Sequence, residues 1–217
     1  NDAIQAIERE MAPVLAKHRN SIFMNEKLFR RVDDLHGRRE DLGLSPEQAR
    51  VLDRYHTIFV RAGARLGAEE KTRLAAVTER LASLGTQFSQ NVLADEKSYR
   101  LVLDGEADLA GLPSFLREAA AQAAEEAGLN GKHVITLSRS SIEPFLQFSG
   151  RRDLREQAFR AWAARGDTGR ETDNKAIIAE MVALRAERAR LLGYRTFADF
   201  KLSDSMAKSP DAVLKLL

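Results

Sequence analysis

Four histidines, His18, His36, His56 and His133, are the first residues to test for chemistry, because histidine serves as a zinc ligand and as a general base. Zinc-dependent hydrolysis needs three protein ligands and a polarised water. On one helix this usually means two histidines separated by three residues, with a glutamate beside the first. The nearest two histidines, His18 and His36, are 18 positions apart. We therefore interpret each histidine as a partly buried or surface residue rather than a ligand.

A serine-rich segment, Ser138-Arg139-Ser140-Ser141, is the only candidate for serine catalysis. A catalytic serine needs a strained turn and a nearby base, and the segment lacks the Gly-x-Ser-x-Gly frame of such a turn. Serine is also a common helix cap. We interpret the segment as the end of a strand followed by a helix start, at which Ser140 or Ser141 holds free backbone amides.

Paired carboxylates occur at Asp95-Glu96 and at Glu125-Glu126. Adjacent side chains on a helix splay apart, so these are poor general acid and base pairs. There is no glycine-rich phosphate loop of the Gly-x-Gly-x-x-Gly kind. The sequence thus predicts no catalytic, no cofactor-binding and no metal-binding residue within residues 1–217.

Composition narrows the class of protein. The 217 residues are 44% hydrophobic and 30% charged, which allows a packed core. The chain has no cysteine, which excludes disulfides and fits a cytoplasmic location. The net charge is only +2, and the basic pairs at 30–31, 38–39 and 151–152 lie among acids, so we predict no nucleic-acid partner. No apolar run approaches the ~20 residues of a membrane span, so we predict no membrane partner.

Helical periodicity dominates the chain, so we predict a mainly α fold, a multi-helix lobe with long amphipathic helices. Pro13 is expected to end or bend the first helix, and Gly37 to stop the second. Ser45-Pro46-Glu47-Gln48 is a strong start signal, in which Ser45 and Gln48 form a capping box. The predicted apolar face of the first helix is Ile4, Ile7, Met11 and Val14. The predicted helices after it lie at about 21–36, from 46 onwards, 68–94, 113–127, 141–148, 151–165, 173–192 and 196–202.

Two segments, about 98–103 and 133–138, mix aromatic and β-branched residues and are predicted to form one small two-stranded β element. The connection between them is long enough for parallel or antiparallel pairing, so the direction stays open. Gly128 is expected to cap the helix between them.

The aromatic residues offer a further choice between core and site. Trp162 and the phenylalanines lie at helical spacing with leucine and alanine, which predicts core packing. Residues 141–148 place three large apolar side chains and Glu143 beside Pro144. This segment either docks a short helix on the core or lines a cleft.

Longer strings from about residue 70 to 217 resemble the zinc oligopeptidase family that includes thimet oligopeptidase, bacterial oligopeptidase A and bacterial peptidyl-dipeptidase, most closely the last. The strings are Phe88–Asp95, Gly111–Pro113 before an alanine-rich helix, Val134–Phe148, Arg151–Trp162, Asp173-Asn174 with Ile178–Glu180, Leu184–Tyr194, and Asp204–Ala207 before Pro210.

The resemblance implies a two-lobed helical enzyme that uses zinc to hydrolyse short peptides in a channel between its lobes. The family's His-Glu-x-x-His helix and its third zinc ligand, a glutamate, lie downstream of the matching region, and no residue here corresponds to them. Residues 1–217 would form a single non-catalytic N-terminal lobe, with a sub-boundary near 95–98, and would partner a C-terminal catalytic lobe. The fragment itself would be inactive.

Both ends of the sequence look cut. The chain starts inside an amphipathic pattern and stops just after the helix-start signal at Ser209-Pro210. These features predict a piece of a longer protein. The alternative from a different class is a stand-alone helical module that binds a protein through an apolar groove.

Overall fold

The computed structural model describes residues 1–217 and is mainly helical, as predicted, with ten α-helices and one two-stranded sheet. The chain forms two compact units. Unit 1 contains residues 1–87 and 177–217, and unit 2 contains residues 88–176. In chain order the elements are α1 (Asp2–Phe23), α2 (Glu26–Gly37), a 3-10 turn (Arg39–Asp41), α3 (Pro46–Arg61), α4 (Ala68–Ser98), β1 (Leu101–Leu103), α5 (Ser114–Glu126), β2 (His133–Ile135), α6 (Arg139–Phe148), α7 (Arg152–Ala163), α8 (Lys175–Leu191), α9 (Phe197–Leu202) and α10 (Pro210–Leu216).

Helix boundaries in the first 61 residues follow local capping chemistry. The capping box at Ser45 is present, with the Gln48 backbone amide donating to Ser45 Oγ and the Gln48 side chain accepting from the Ser45 amide. Gly37 ends α2, as predicted. The single helix predicted for 21–36 is wrong, because residues 21–23 belong to α1. Asn25 starts α2 by accepting from the Leu28 amide at 2.9 Å.

Pro13 does not end α1, so that half of the prediction is wrong. Proline removes one backbone donor, at a cost of about 3 kcal/mol inside a helix. The 22-residue helix retains its other turns, and the side chain of Asn1 caps its start by accepting from the Ile4 amide at 3.0 Å.

The core of unit 1 has an aromatic cluster between α2 and α3. Phe59 is buried, and its ring centroid lies 5.1 Å from that of Phe23 and 6.0 Å from that of Phe29. Two bidentate ion pairs also join α4 to α8. Arg73 donates to Glu187, and Arg80 donates to Glu180 with both contacts at 2.6–2.7 Å. These pairs are exposed, so each contributes at most about 1 kcal/mol.

Unit 2 is built around the small sheet. The strands are antiparallel, with Leu101 opposite Ile135 and Leu103 opposite His133, which settles the open direction. Each strand is shorter than predicted, because α4 continues to Ser98 and the second strand stops at Ile135. The core cluster around the strands consists of Leu101, Leu103, Leu109, Leu112, Leu116, Ala120, Ile135, Leu137, Ile142, Phe145 and Ala158.

Aromatic burial follows the prediction only in part. Trp162 packs against the unit 2 core, and Phe145 and Phe200 are buried. Phe115, Phe148 and Phe159 are 40–56% exposed, so the core prediction is wrong for these three. Phe115 directly precedes buried Leu116, and Phe159 directly follows buried Ala158, so each lies about 100° around its helix from a buried position. Phe148 is the last residue of α6.

Candidate functional site

The hydroxyl groups of the serine-rich segment, residues 138–141, make local structural contacts. Ser138 precedes α6, and its hydroxyl lies 2.9 Å from Thr136 Oγ1. Ser141 Oγ accepts from the Thr136 backbone amide at 3.1 Å, so it does hold a free amide, but one that lies before the helix. The prediction that Ser140 or Ser141 caps the helix is wrong, because α6 begins at Arg139 after Ser138 and has no side-chain cap bond. The contacts of these hydroxyls are with a threonine and with backbone rather than with a base. Of the two alternatives for residues 141–148, docking on the core is observed, because Ile142 and Phe145 are fully buried.

The paired carboxylates also have separate structural partners. Asp95 accepts from the Gly166 amide at 2.7 Å and from Thr172 Oγ1 at 2.5 Å. Glu96 pairs with Arg165. Glu125 and Glu126 are exposed near the end of α5. Neither pair presents two carboxylates to a common point, so neither supplies an acid and a base for one reaction.

Two of the four histidines come together in unit 1. The rings of His36 on α2 and His56 on α3 stack with centroids 3.8 Å apart and planes 6° from parallel. His36 Nε2 lies 3.1 Å from Asp53 Oδ1, and His56 Nε2 lies 2.9 Å from Asp33 Oδ1. We call these four residues the His–Asp stack. Each of the two helices thus contributes one imidazole and one carboxylate, and each imidazole contacts the carboxylate of the other helix.

The electrostatics of the His–Asp stack favour the charged form of Asp33. The hydrogen bond with His56 lowers the pKa of Asp33, and Arg65, whose Nη2 lies 3.3 Å from Asp33 Oδ1, lowers that pKa further. The arrangement therefore ties α2 to α3 through two partly buried imidazoles. Sequence reasoning missed it, although the repeated spacing Asp33-x-x-His36 and Asp53-x-x-His56 on neighbouring helices was a usable signal.

The zinc implied by the resemblance can be tested against these donors. A zinc site needs at least three side chains that converge on one point. No group of three or more histidine, aspartate or glutamate side chains in the chain is placed to hold a metal ion. In the His–Asp stack both carboxylates face imidazole Nε2 atoms instead. The residues of this chain therefore do not fit a zinc centre.

In unit 2, strings that carried the resemblance meet in one polar network. Asn174 is 1% exposed, and its Nδ2 donates to the Phe88 carbonyl at 3.2 Å. Its Oδ1 accepts from Asn91 Nδ2 at 2.9 Å. With the contacts of Asp95, this network binds the loop 166–174 to the end of α4. The segments that carry the resemblance therefore include residues that stabilise the fold.

Asp173 lies in the same loop, and its contacts predict that the stability of the fold depends on pH. Its carboxylate accepts from the Gly169 and Lys175 amides and from Lys175 Nζ, at 2.6–2.9 Å. The Lys175 ammonium, followed by the backbone amides, lowers the pKa of Asp173 to about 2. A lowered folded-state pKa stabilises the fold above the ordinary value of about 4, and this stabilisation is lost as pH falls through 2.

We therefore expect Asp173→Asn to lower the Tm at pH 6 and to flatten the loss of Tm between pH 4 and pH 2. Thermal unfolding followed by circular dichroism at pH 6, 4, 3 and 2 measures this. Asp211→Asn, at an exposed aspartate, is the control. A Tm profile of Asp173→Asn parallel to that of the unchanged chain would contradict the assignment.

Comparison with known proteins finds similar sequences among peptidases. All 217 residues align at 38% identity with dipeptidyl carboxypeptidase of Escherichia coli (strain K12), covering 32% of that protein. Oligopeptidase A of Haemophilus influenzae aligns at 32% identity over 209 residues, which is 94% of this chain and 30% of that protein. Oligopeptidase A of Escherichia coli (strain K12) aligns at 31% over 209 residues, with similar coverage.

Residues 145–217 match the sequence profile of peptidase family M3. The predicted resemblance is confirmed, and the chain is a relative of peptidase family M3. The chain spans about a third of the length of the curated relatives it matches. None of its helices combines the length and apolar character that crossing a membrane requires.

Proposed function

We propose that this chain forms the non-catalytic N-terminal lobe of a zinc metallopeptidase that hydrolyses short peptides. The observation that carries the proposal is the alignment of all 217 residues with a dipeptidyl carboxypeptidase of which they cover only 32%. The higher identity to this protein than to oligopeptidase A favours a peptidyl-dipeptidase over an oligopeptidase. Under the proposal, zinc, its ligands and the general base lie in a C-terminal catalytic lobe of a cytoplasmic parent protein.

A helical lobe without catalytic groups still has a role in such an enzyme. A peptidase that spares folded proteins must exclude them by shape, and a wall of packed helices can do so. We propose that this lobe forms one wall of the substrate channel.

Exposed apolar surface in unit 1 supports a covering partner. Ile4 and Ile7 on α1 are 63% and 59% exposed, although their spacing marks an apolar helix face. An apolar groove of about 480 Å³ also lies between α2 and α3. It is lined by Val32, Leu35, Leu42, Leu44, Glu47, Gln48, Val51, Leu52 and Tyr55. Contiguous apolar patches of this kind mark interaction surfaces, and the rest of the parent protein is the partner we propose.

The same surface also favours the second candidate, a stand-alone interaction module. The two functions differ in what a longer protein containing this chain would do. A parent peptidase cleaves short peptides and loses that activity when zinc is chelated, whereas a module has no activity in any context.

The decisive assay compares the purified 217-residue chain with the longer protein that contains it. Both are incubated with a fluorogenic pentapeptide, and zinc is measured by atomic absorption. We expect no cleavage and no stoichiometric zinc for the 217-residue chain, and chelator-sensitive cleavage for the longer protein. Zinc-dependent cleavage by the short chain would refute the lobe assignment, and an inactive longer protein would favour the module.

A further inference from the structure

Five cationic side chains line one cavity of unit 1. The cavity has a volume of about 380 Å³ and lies among α1, α3, α4, α8 and α9. Its only acidic lining residue is Asp204, so cations exceed carboxylates by four. The cations are Arg19, Arg54, Arg61, Arg188 and Lys201.

The one carboxylate is already engaged. Asp204 accepts from Arg54 Nη1 at 2.5 Å and lies 3.8 Å from Arg61 Nε. Arg188 has no such partner and forms no ion pair. Its guanidinium lies 5.1 Å from the Phe200 ring centroid, and the Arg61 guanidinium lies 4.3 Å from the same centroid. The positive charges of Arg61 and Arg188 therefore both lie over the Phe200 ring, and Asp204 is the one carboxylate that lines the cavity.

Two buried donors at this cavity lack any acceptor. Asn20 is 9% exposed, and its Nδ2 has no hydrogen-bond partner. Arg188 Nε is also buried and without a partner. Burial, followed by repulsion from Arg61 and Arg19, lowers the pKa of Arg188. Because buried polar groups are nearly always paired, two orphan donors in one cationic cavity indicate a missing acceptor.

We propose that this cavity binds a small, multiply charged oxyanion, such as a phosphomonoester or a tricarboxylate, with Asn20 and Arg188 as its buried donors. Guanidinium groups present a planar fork that matches carboxylate and phosphate oxygens. The volume suits a small organic anion, because ligand pockets of this kind start near about 300 Å³. The charge of the lining disfavours metal cations. This site is independent of the proposed peptidase role.

Calorimetric titration of the 217-residue chain tests the proposal. Inorganic phosphate and citrate are the two probes, each titrated at constant ionic strength set with sodium chloride. We expect saturable binding of one anion per chain and a rise in Tm. The two arms separate a phosphate ligand from a carboxylate ligand, and saturable binding of either one supports the site. Absence of saturable binding in both arms would overturn it.

Arg188→Met gives the site-specific readout. Methionine keeps an unbranched stem but removes the unpaired charge, so the anion-free chain should unfold at an equal or higher Tm. Its anion affinity should fall by about 10- to 100-fold, because a charged hydrogen bond is lost. Arg190→Met, at an exposed position on the same helix, should bind like the unchanged chain.

A second variant, Asn20→Leu, keeps the proposal testable if Arg188→Met fails to fold. Leucine has the same branched shape as asparagine, although it is larger, and it removes the orphan donor. Its anion affinity should fall severalfold. Unaltered anion binding in whichever of the two variants folds would place the ligand elsewhere and overturn the assignment.

Discussion

Gly111→Ala should lower the free energy of unfolding by about 2–5 kcal/mol, the largest effect we expect from adding one methyl group to this chain. The φ angle of Gly111 is +82°, a conformation that costs an L-residue about 1–2 kcal/mol. A Cβ atom at this position would also lie 2.4 Å from the Phe148 carbonyl oxygen and 2.9 Å from the Gly150 amide nitrogen. Both atoms belong to the backbone, so no side-chain rotation can relieve the contact.

The close approach at Gly111 has a structural purpose. The Gly150 amide donates to the Ala110 carbonyl at 2.7 Å, which holds the segment before α5 against the end of α6. Leu109 and Leu112 flank this contact and are buried in the unit 2 core. A methyl group at Gly111 must separate the two backbones, and this would strain the hydrogen bond and the leucine packing together.

Gly128→Ala is the matched control for this prediction. Gly128 has a φ of +73°, but a Cβ atom added there would meet no other atom within 4 Å, so it carries the conformational cost without the clash. We expect a loss of about 1–2 kcal/mol. Urea unfolding of the two variants measures the difference. Equal losses in Gly111→Ala and Gly128→Ala would show that the backbone contact contributes nothing.

Local signals in the sequence predicted the elements that depend on neighbouring residues. The capping box at Ser45 and the stop at Gly37 are both present. Gly128, predicted as a cap, follows α5 in a left-handed conformation, and its amide donates to the Glu125 carbonyl at 2.9 Å. On α4, Leu74, Val77 and Leu84 lie at helical spacing and are buried. Each signal acts within one or two helical turns, which a sequence records directly.

Periodicity could not tell what covers an apolar face. Ile4 and Ile7 repeat at helical spacing as buried residues do, yet both are exposed in α1. The strand at 98–103 was predicted too long because periodicity also did not show where α4 ends. Ser98 is the last residue of the 31-residue helix α4. Extending a helix that has already formed by one residue costs little free energy.

Long-range polar contacts were the least accessible to sequence reasoning. The His–Asp stack joins residues 17 and 23 positions apart, and its signal was a repeated Asp-x-x-His spacing rather than a known ligand pattern. The cationic cavity gathers Arg19, Arg61 and Arg188 from three helices. No spacing rule links these arginines, because only the packing of unit 1 brings them to one place.

Asn174→Leu should lower the free energy of unfolding by about 2–4 kcal/mol, because two polar groups would lose their partner at a buried position. Leucine has the same branched shape as asparagine but a larger volume, so strain from overpacking would add to the loss of the hydrogen bonds. The Phe88 carbonyl would lose the donor at 3.2 Å, and Asn91 Nδ2 would lose the acceptor at 2.9 Å. The loop 166–174 would then be held to α4 mainly by Asp95, which accepts from the Gly166 amide and from Thr172 Oγ1.

Urea unfolding of a small set of variants would establish this role for Asn174. Asn130→Ala, at an exposed asparagine of the same unit, should change stability by less than about 0.5 kcal/mol. Asn91→Ala should cost less than Asn174→Leu, because it removes one side-chain hydrogen bond of Asn174 and leaves the other, to the Phe88 carbonyl, in place. The double variant should lose less than the sum of the single losses, because both remove the same hydrogen bond. Strict additivity, or an Asn174→Leu chain as stable as Asn130→Ala, would show that the network does not hold the loop.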